Sequence, residues 1–210
     1  MAINHTRVIR PPQIIRTPAV TWNGADLTNV TLSGGSLTAT SGSGAAGVRG
    51  TTSHNSGQFY IEFVINSFTM AGNDPGLGIT NAANGWSANG VWYSGSPVGA
   101  KGACFYVAPD TGVPHGWTNN GSPIDLNTGY ATSDVWGVAV DIDAGKIWFR
   151  RNSTTWLNSG NPAAGTNAAT TFTASQTYYP AMQGGSAGVT ARFASSDWTL
   201  GSYPSGFSQW

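Results

Sequence analysis

Between Gln58 and Asn66, Phe59, Ile61, Phe63 and Ile65 fall on one side of an extended chain and Tyr60, Glu62 and Val64 on the other. Such strict alternation predicts a strand with one face in a core. A second β pattern runs from Asp134 to Asn152. Its first arm, Val135 to Ile142, is β-branched and aromatic, and its second, Lys146 to Arg150, alternates before two arginines. Between the arms, Asp143-Ala144-Gly145 fits a three-residue hairpin connection with glycine in the left-handed region. Gly137 leaves room for a large side chain from a neighbouring strand, and Trp136, Trp148 and Phe149 are the expected fillers. Upstream, Val30-Thr31-Leu32 and Leu37-Thr38-Ala39-Thr40 flank Ser33-Gly34-Gly35-Ser36, a small hairpin with a glycine turn. Ser41 to Gly47 reads as a hinge-like loop, Asn158 to Thr173 as an exposed loop and Gly184 to Gly188 as a turn. No window carries a helical period. Trp198, Tyr203, Phe207 and Trp210 predict a final segment tied against the domain.

Composition agrees with an all-β reading. Twenty-nine glycines, nine tryptophans and many Thr, Ser and Asn in 210 residues favour short strands and tight turns. Charged residues make up only 9%, against roughly 25% in ordinary soluble domains. A neutral, hydroxyl- and amide-rich surface suits a component of a large assembly or a protein exposed to varied salt. Formal net charge is zero, so no global field points to nucleic acid or an anionic membrane. Arg7, Arg10 and Arg16 stand without an acid in the first 20 residues, which leaves six basic against nine acidic side chains elsewhere. The single Cys104 excludes an intrachain disulfide framework and reads as a small apolar residue. The sequence shows neither a membrane span nor the apolar core of a signal peptide, so synthesis in a cytoplasm without membrane insertion is expected.

Val135-Trp136-Gly137-Val138-Ala139-Val140-Asp141-Ile142-Asp143-Ala144-Gly145-Lys146-Ile147-Trp148-Phe149, followed by Asn152, resembles the central signature of SPRY domains, especially those of bacteriophage and prophage proteins. Gly57 to Phe63 is similar to the family's early strand, Gly76-Leu77-Gly78-Ile79 to the next and Tyr178-Tyr179-Pro180-Ala181 to the late one. Val189 to Phe193 and Pro204-Ser205-Gly206-Phe207 complete the series in order. The resemblance covers roughly residues 45–210. It implies an antiparallel two-sheet sandwich of the SPRY-like, jelly-roll or concanavalin-like kind that binds partners through its loops and has no chemistry of its own. The expected organisation is an extended arm over residues 1–20 and one sandwich over 21–210, whose early strands extend the sheets of the family-like core.

Prolines 11, 12 and 18 rule out a helix or central strand in the arm. The arm is either a disordered leader or an ordered docking segment. Val8, Ile9, Ile14 and Ile15, with Arg10 and Arg16 beside them, favour docking on a partner subunit or particle. Two later stretches, Asn81 to Gly99 and Pro109 to Ser122, mix turn formers with aromatics and amides. Trp86, Asn89, Trp92 and Tyr93 in the first, and Asp110, His115, Trp117 and Asn119 in the second, are what a sugar surface needs. Apolar sugar faces stack on rings while hydroxyls bond to Asn or Asp. The competing reading is that these rings plug the sandwich or meet another subunit.

Chemistry is otherwise absent from the pattern. His5, His54 and His115 form no metal spacing, and there is neither a nucleophile elbow nor a phosphate loop. Asp141-Ile142-Asp143 faintly resembles a calcium loop, but its twelfth position is Asn152. Glu62, the only glutamate, reads as a partner for an arginine or the backbone. The expectation is a non-enzymatic virion structural protein of a tailed phage, decorating the head or forming part of a tail fibre or spike. It needs no cofactor or metal, and its partners are other virion proteins and further copies of itself, a trimer being the common state of fibre proteins. The alternative is a carbohydrate-recognition module that adsorbs the particle to a host surface glycan.

Overall fold

A computed structural model describes residues 19–44, 46–68, 76–81, 102–107, 114–118, 124–126 and 128–210, with backbone alone for 102–107, 114–118 and 124–125. Among them the strands are, in chain order, β1 (Trp22–Thr28), β2 (Val30–Ser33), β3 (Thr38–Ser41), β4 (Gly47–Gly50), β5 (Gln58–Phe68), β6 (Gly76–Asn81), β7 (Gly102–Val107) and β8 (Pro114–Thr118). They continue as β9 (Ile124–Asp125), β10 (Val135–Asp141), β11 (Lys146–Arg151), β12 (Thr170–Thr171), β13 (Tyr178–Gln183), β14 (Ala187–Arg192) and β15 (Ser208–Gln209). Among the described residues there is no α-helix, only short 3-10 turns at Leu157–Ser159, Pro162–Ala164 and Ser195–Asp197.

The alternating strand β5 is central. It pairs with β10 on one side and β14 on the other, and β10 pairs onward with β11. The full order is β12-β11-β10-β5-β14-β3-β2, with β15 joining β5 in parallel beside Phe59 and Tyr60. The opposing sheet runs β1-β4-β13-β6-β7-β8-β9. These are the two antiparallel sheets of a β-sandwich. Period two then fixes the layers. Ile61, Phe63 and Ile65 of β5, with Val138, Val140, Ile147 and Phe149 beside them, share one core with Val48, Leu77, Ile79 and Met182 of the other sheet. Trp22 stacks on Phe63 and meets Phe193 edge-on.

The Val30–Ser41 hairpin forms with Gly34, Gly35 and Ser36 all at positive φ. Its strands and β1 extend both sheets at one flank, as expected. The β10–β11 hairpin differs in detail from its sequence reading. Asp141 pairs with Lys146, so the connection has four residues, and Ile142 leaves the ladder while its side chain stays in the core. Gly145 takes the left-handed position, φ 63°, and Ala144 N–H donates to Asp141 Oδ1.

The space over Gly137 is real, but its fillers are not those expected. Trp136 and Phe149 point into the core between the sheets. A Cβ at Gly137 would lie 2.4 Å from Tyr60 Oη and 2.7 Å from Arg150 Nε. These residues occupy the outer face, where Tyr60, Ala139, Trp148 and Phe207 form a second cluster, with Trp156 and Trp198 packed against it. The stretch from Asn158 to Thr173 is accordingly more than an exposed loop. Pro162 and Ala169 are buried, and Trp148 Nε1 donates to Thr166 O across it. The terminal aromatics are held, Tyr203 through ring contacts with Trp198 and Tyr60. Trp210 Nε1 donates to Thr52 O and Trp198 Nε1 to Arg192 O, while Tyr203 is 47% exposed.

Candidate binding surface

Register places the entries to the sequence-predicted loops. Asn81 pairs with Tyr178, Thr80 with Gly102, and Ala103 with Thr118, so β6, β7 and β8 share one end of their sheet there. The chain therefore enters and leaves residues 82–101 at that end, and departs for residues 119–123 from it. Gly76, Tyr106, Val107 and Pro114 define the other end, from which residues 108–113 are reached. A six-residue strand such as β7 separates the two ends by roughly 20 Å.

Trp86, Asn89, Trp92, Tyr93, Asp110 and Asn119 lie outside the described residues, as do the arm positions Val8, Ile9, Arg10, Ile14, Ile15 and Arg16. His115 and Trp117 stand on strand β8 instead of in the loop that the sequence suggested, paired through the backbone with Tyr106 and Cys104. The Pro-His-Gly-Trp-Thr sequence of Pro114–Thr118 shows no alternation, and it hid a short strand whose pairing comes from its neighbours. Trp117 thus adjoins the exit of residues 82–101, whereas His115 lies toward the end from which Asp110 is reached.

Below this end, backbone and rings form a firm base. His54 N–H donates to Tyr178 O at 3.0 Å, and Tyr178 N–H donates to His54 O at 2.8 Å. The His54 ring stacks on Phe59, centroids 3.9 Å apart, and meets Trp210 edge-on at 5.3 Å. Its Nε2 is buried without a hydrogen-bond partner. Burial lowers the His54 pKa, because charging the imidazole there costs solvation. Tyr178 Oη donates to Thr173 O, and burial raises its phenol to about 12.

The outer face of the other sheet holds a polar cluster that the sequence announced only in part. Glu62, Gly137 and Arg150 sit side by side across β5, β10 and β11. With no side chain at Gly137, Tyr60 Oη reaches over the gap, accepts from Arg150 Nε at 3.0 Å and donates to Glu62 Oε1 at 2.9 Å. Glu62, fully buried, also accepts from the backbone N–H of Thr199 and Leu200 at 2.7 and 3.0 Å. Arg192 adds an ion pair at 3.5 Å. Arg150, equally buried, donates to Ser202 O and lies 4.8 and 5.0 Å from the Tyr60 and Trp156 ring centroids. The expectation that Glu62 serves arginine and backbone partners is met. Tyr60 and Arg150 went unrecognised because partnership across three strands has no signature in one strand's pattern. Burial pushes the Tyr60 phenol well above its ordinary range, so it stays a neutral donor.

Other carboxylates are equally occupied. Asp134 takes two bonds from Arg151 at 2.6 and 3.0 Å, one from Asn152 Nδ2 and one from Ala131 N–H. Asp26 is held by Arg49 Nε and Nη2 at 2.5 and 2.9 Å. Asp141 accepts from Gln58 and Ala144, Asp143 from Gly57 N–H, and Asp197 from Ser196. Every carboxylate side chain among the described residues therefore accepts a hydrogen bond from the chain itself. No cluster of three or more His, Cys, Asp or Glu able to hold a metal occurs among them. Nor is any described helix long and apolar enough to cross a membrane.

Compared with known proteins, the chain matches no family model and none of the curated proteins. Solved structures do match. The SPRY domain of human HERC1 superposes with a TM-score of 0.61 at 14% identity, covering 81% of this chain and 96% of that one. The PSpry domain of TRIM65 gives 0.57 at 14% identity, covering 83% and 92%. Stonustoxin gives 0.56 at 16% identity, over 83% of this chain and 28% of its own. The fold is thus a SPRY-like β-sandwich.

Proposed function

We propose that this chain is a non-enzymatic structural protein of a tailed bacteriophage virion, a head decoration or a tail fibre or spike component that acts by protein–protein binding. The observation that carries the non-catalytic part is the occupancy of the carboxylates. Hydrolysis of a host glycan by the usual glycosidase route needs a pair of carboxyl groups free to exchange protons with the substrate. Here the lone glutamate is saturated in the interior, and the described aspartates hold turns and arginines. The phage assignment rests on the likeness of residues 135–152 to the phage-type SPRY signature and on the 9% charge content, which suits burial of much surface in an assembly. The arm at Val8–Arg16 is the segment assigned to particle docking.

Protein mass spectrometry of gradient-purified particles from the strain that encodes the chain tests this reading. The chain should co-purify with DNA-filled particles in fixed ratio to the major shell protein. Confinement to the soluble fraction contradicts the virion role, and turnover of a host polysaccharide by the purified chain contradicts the non-enzymatic one.

One observation favours host-glycan adsorption as a second role. Trp117 adjoins the end of the sheet from which the segment holding Trp86, Asn89, Trp92 and Tyr93 departs. In a preparation that binds host glycan, Trp86→Ala with Trp92→Ala should abolish binding; retained binding removes this surface.

A further inference from the structure

A sandwich with open sheets has four edges, and the described residues show how three are blunted. The β1 edge carries a register break between Trp22 and Leu27 and the carboxylate of Asp26. The β9 and β12 edges are two residues long. Short, bulged or charged edges resist pairing with another chain. Among the described residues the β2 edge shows none of these devices. Val30-Thr31-Leu32-Ser33 pairs with β3 in regular register and contains no proline, charge or bulge. The sequence has no charged residue from Leu27 to Val48, and the charges that bound this stretch, Asp26 and Arg49, pair with each other. The flank is rigid as well. Asn29 turns the chain from β1 into β2 at φ 50°, its Nδ2 donates to Ser43 O, and its carbonyl accepts from Gly42 N–H.

We propose that β2 is the seam of a two-fold pairing between two copies of this chain, with β2 of each running antiparallel to β2 of the other. Pairing identical strands about a two-fold axis is possible only where residues brought opposite belong to the same face. An axis at Thr31 meets that condition. Thr31 faces its own copy on the outer, exposed side, and Val30 faces Leu32 of the copy on the core side. Hydroxyl meets hydroxyl, apolar meets apolar, and no like charges oppose one another. The two eight-stranded sheets then become one continuous sheet. A four-residue ladder buries little surface, which places the seam in the weak, concentration-dependent class. It would be consolidated where copies are crowded on a common particle, but the seam itself does not depend on the virion reading.

The test is sedimentation velocity of the full chain from about 1 µM to about 1 mM, a span that populates weak association. The proposal expects a monomer–dimer shift, at least a tenfold weakening by Thr31→Lys, which sets two ammonium groups on the axis, and unchanged folding of the exposed-site variant. Thr31→Cys should oxidise to a covalent dimer that peptide mapping shows to be linked through position 31 of both copies. A chain monomeric across the range, a dimer that Thr31→Lys leaves intact, or oxidation giving no 31-to-31 link overturns it.

Discussion

At Gly137 one missing methyl group decides the outer face of the central sheet. Any Cβ there would overlap Tyr60 Oη, Arg150 Nε and Arg150 Cγ, at 2.4, 2.7 and 2.8 Å. These atoms belong to a fully bonded network and have little room to give. Gly137→Ala should therefore cost about 1–3 kcal/mol, the usual penalty of overpacking, read as a lower midpoint in urea denaturation. An unchanged midpoint would mean that the network relaxes freely. Glu62 tests the same network electrostatically. Glu62→Gln removes the charge facing Arg150 and Arg192 and sets an amide N–H₂ against N–H donors. Breaking a buried ion pair this way should cost about 3–5 kcal/mol. The Thr199 and Leu200 amides should lose hydrogen-exchange protection first, since they donate to this carboxylate.

His54 gives a prediction in pH. Burial holds its folded pKa below the 6.5 of the free side chain. As pH falls the unfolded chain takes up the proton first. Stability is therefore fully present above about pH 6.5 and declines as pH drops toward the folded value. Melting temperature should fall between pH 7.5 and pH 5.5 in the parent, with a smaller fall in His54→Phe, which keeps a ring between Phe59 and Trp210. Parallel pH profiles for the two proteins would contradict this origin.

Among the elements, the β10–β11 hairpin shows what the sequence made legible and where it stopped. The β-branched arms, the glycine turn and the alternation of β5 predict the strands, because period two and turn chemistry are local. The connection proved one residue longer because Ile142 follows the core in preference to the ladder. Loops that bury the second face of β5 are set by contacts from residues 90 to 138 positions away, and no pattern in β5 records them. The same limit hid β8, whose His-Gly-Trp core gains its strand from β7. At the open end of the hairpin, Asp134 ties Arg151, Asn152 and the Ala131 backbone together. Asp134→Ala should leave this end frayed, at about 1.5–3 kcal/mol for the lost hydrogen bonds to a charged group, with faster exchange at Val135 and Asn152 amides. Unaltered exchange would show that the ladder alone holds it.

For the whole molecule, the fold was readable from the central signature and five further family-like segments in order, and the structural likeness to SPRY domains agrees with them. The candidate surface was less readable: of its residues only His115 and Trp117 are described, and they stand on β8, whose pairing with β7 no local pattern records. The internal commitment of the described carboxylates supports the proposed binding role, and the 9% charge content supports the proposed place in an assembly. The most direct measurement is gold-antibody labelling of intact particles from the lysate that encodes this chain. The account predicts label on the particle, on the head for a decoration protein or on the tail for a fibre or spike component. Intact particles without label, in a lysate where the free chain is detected, would contradict it.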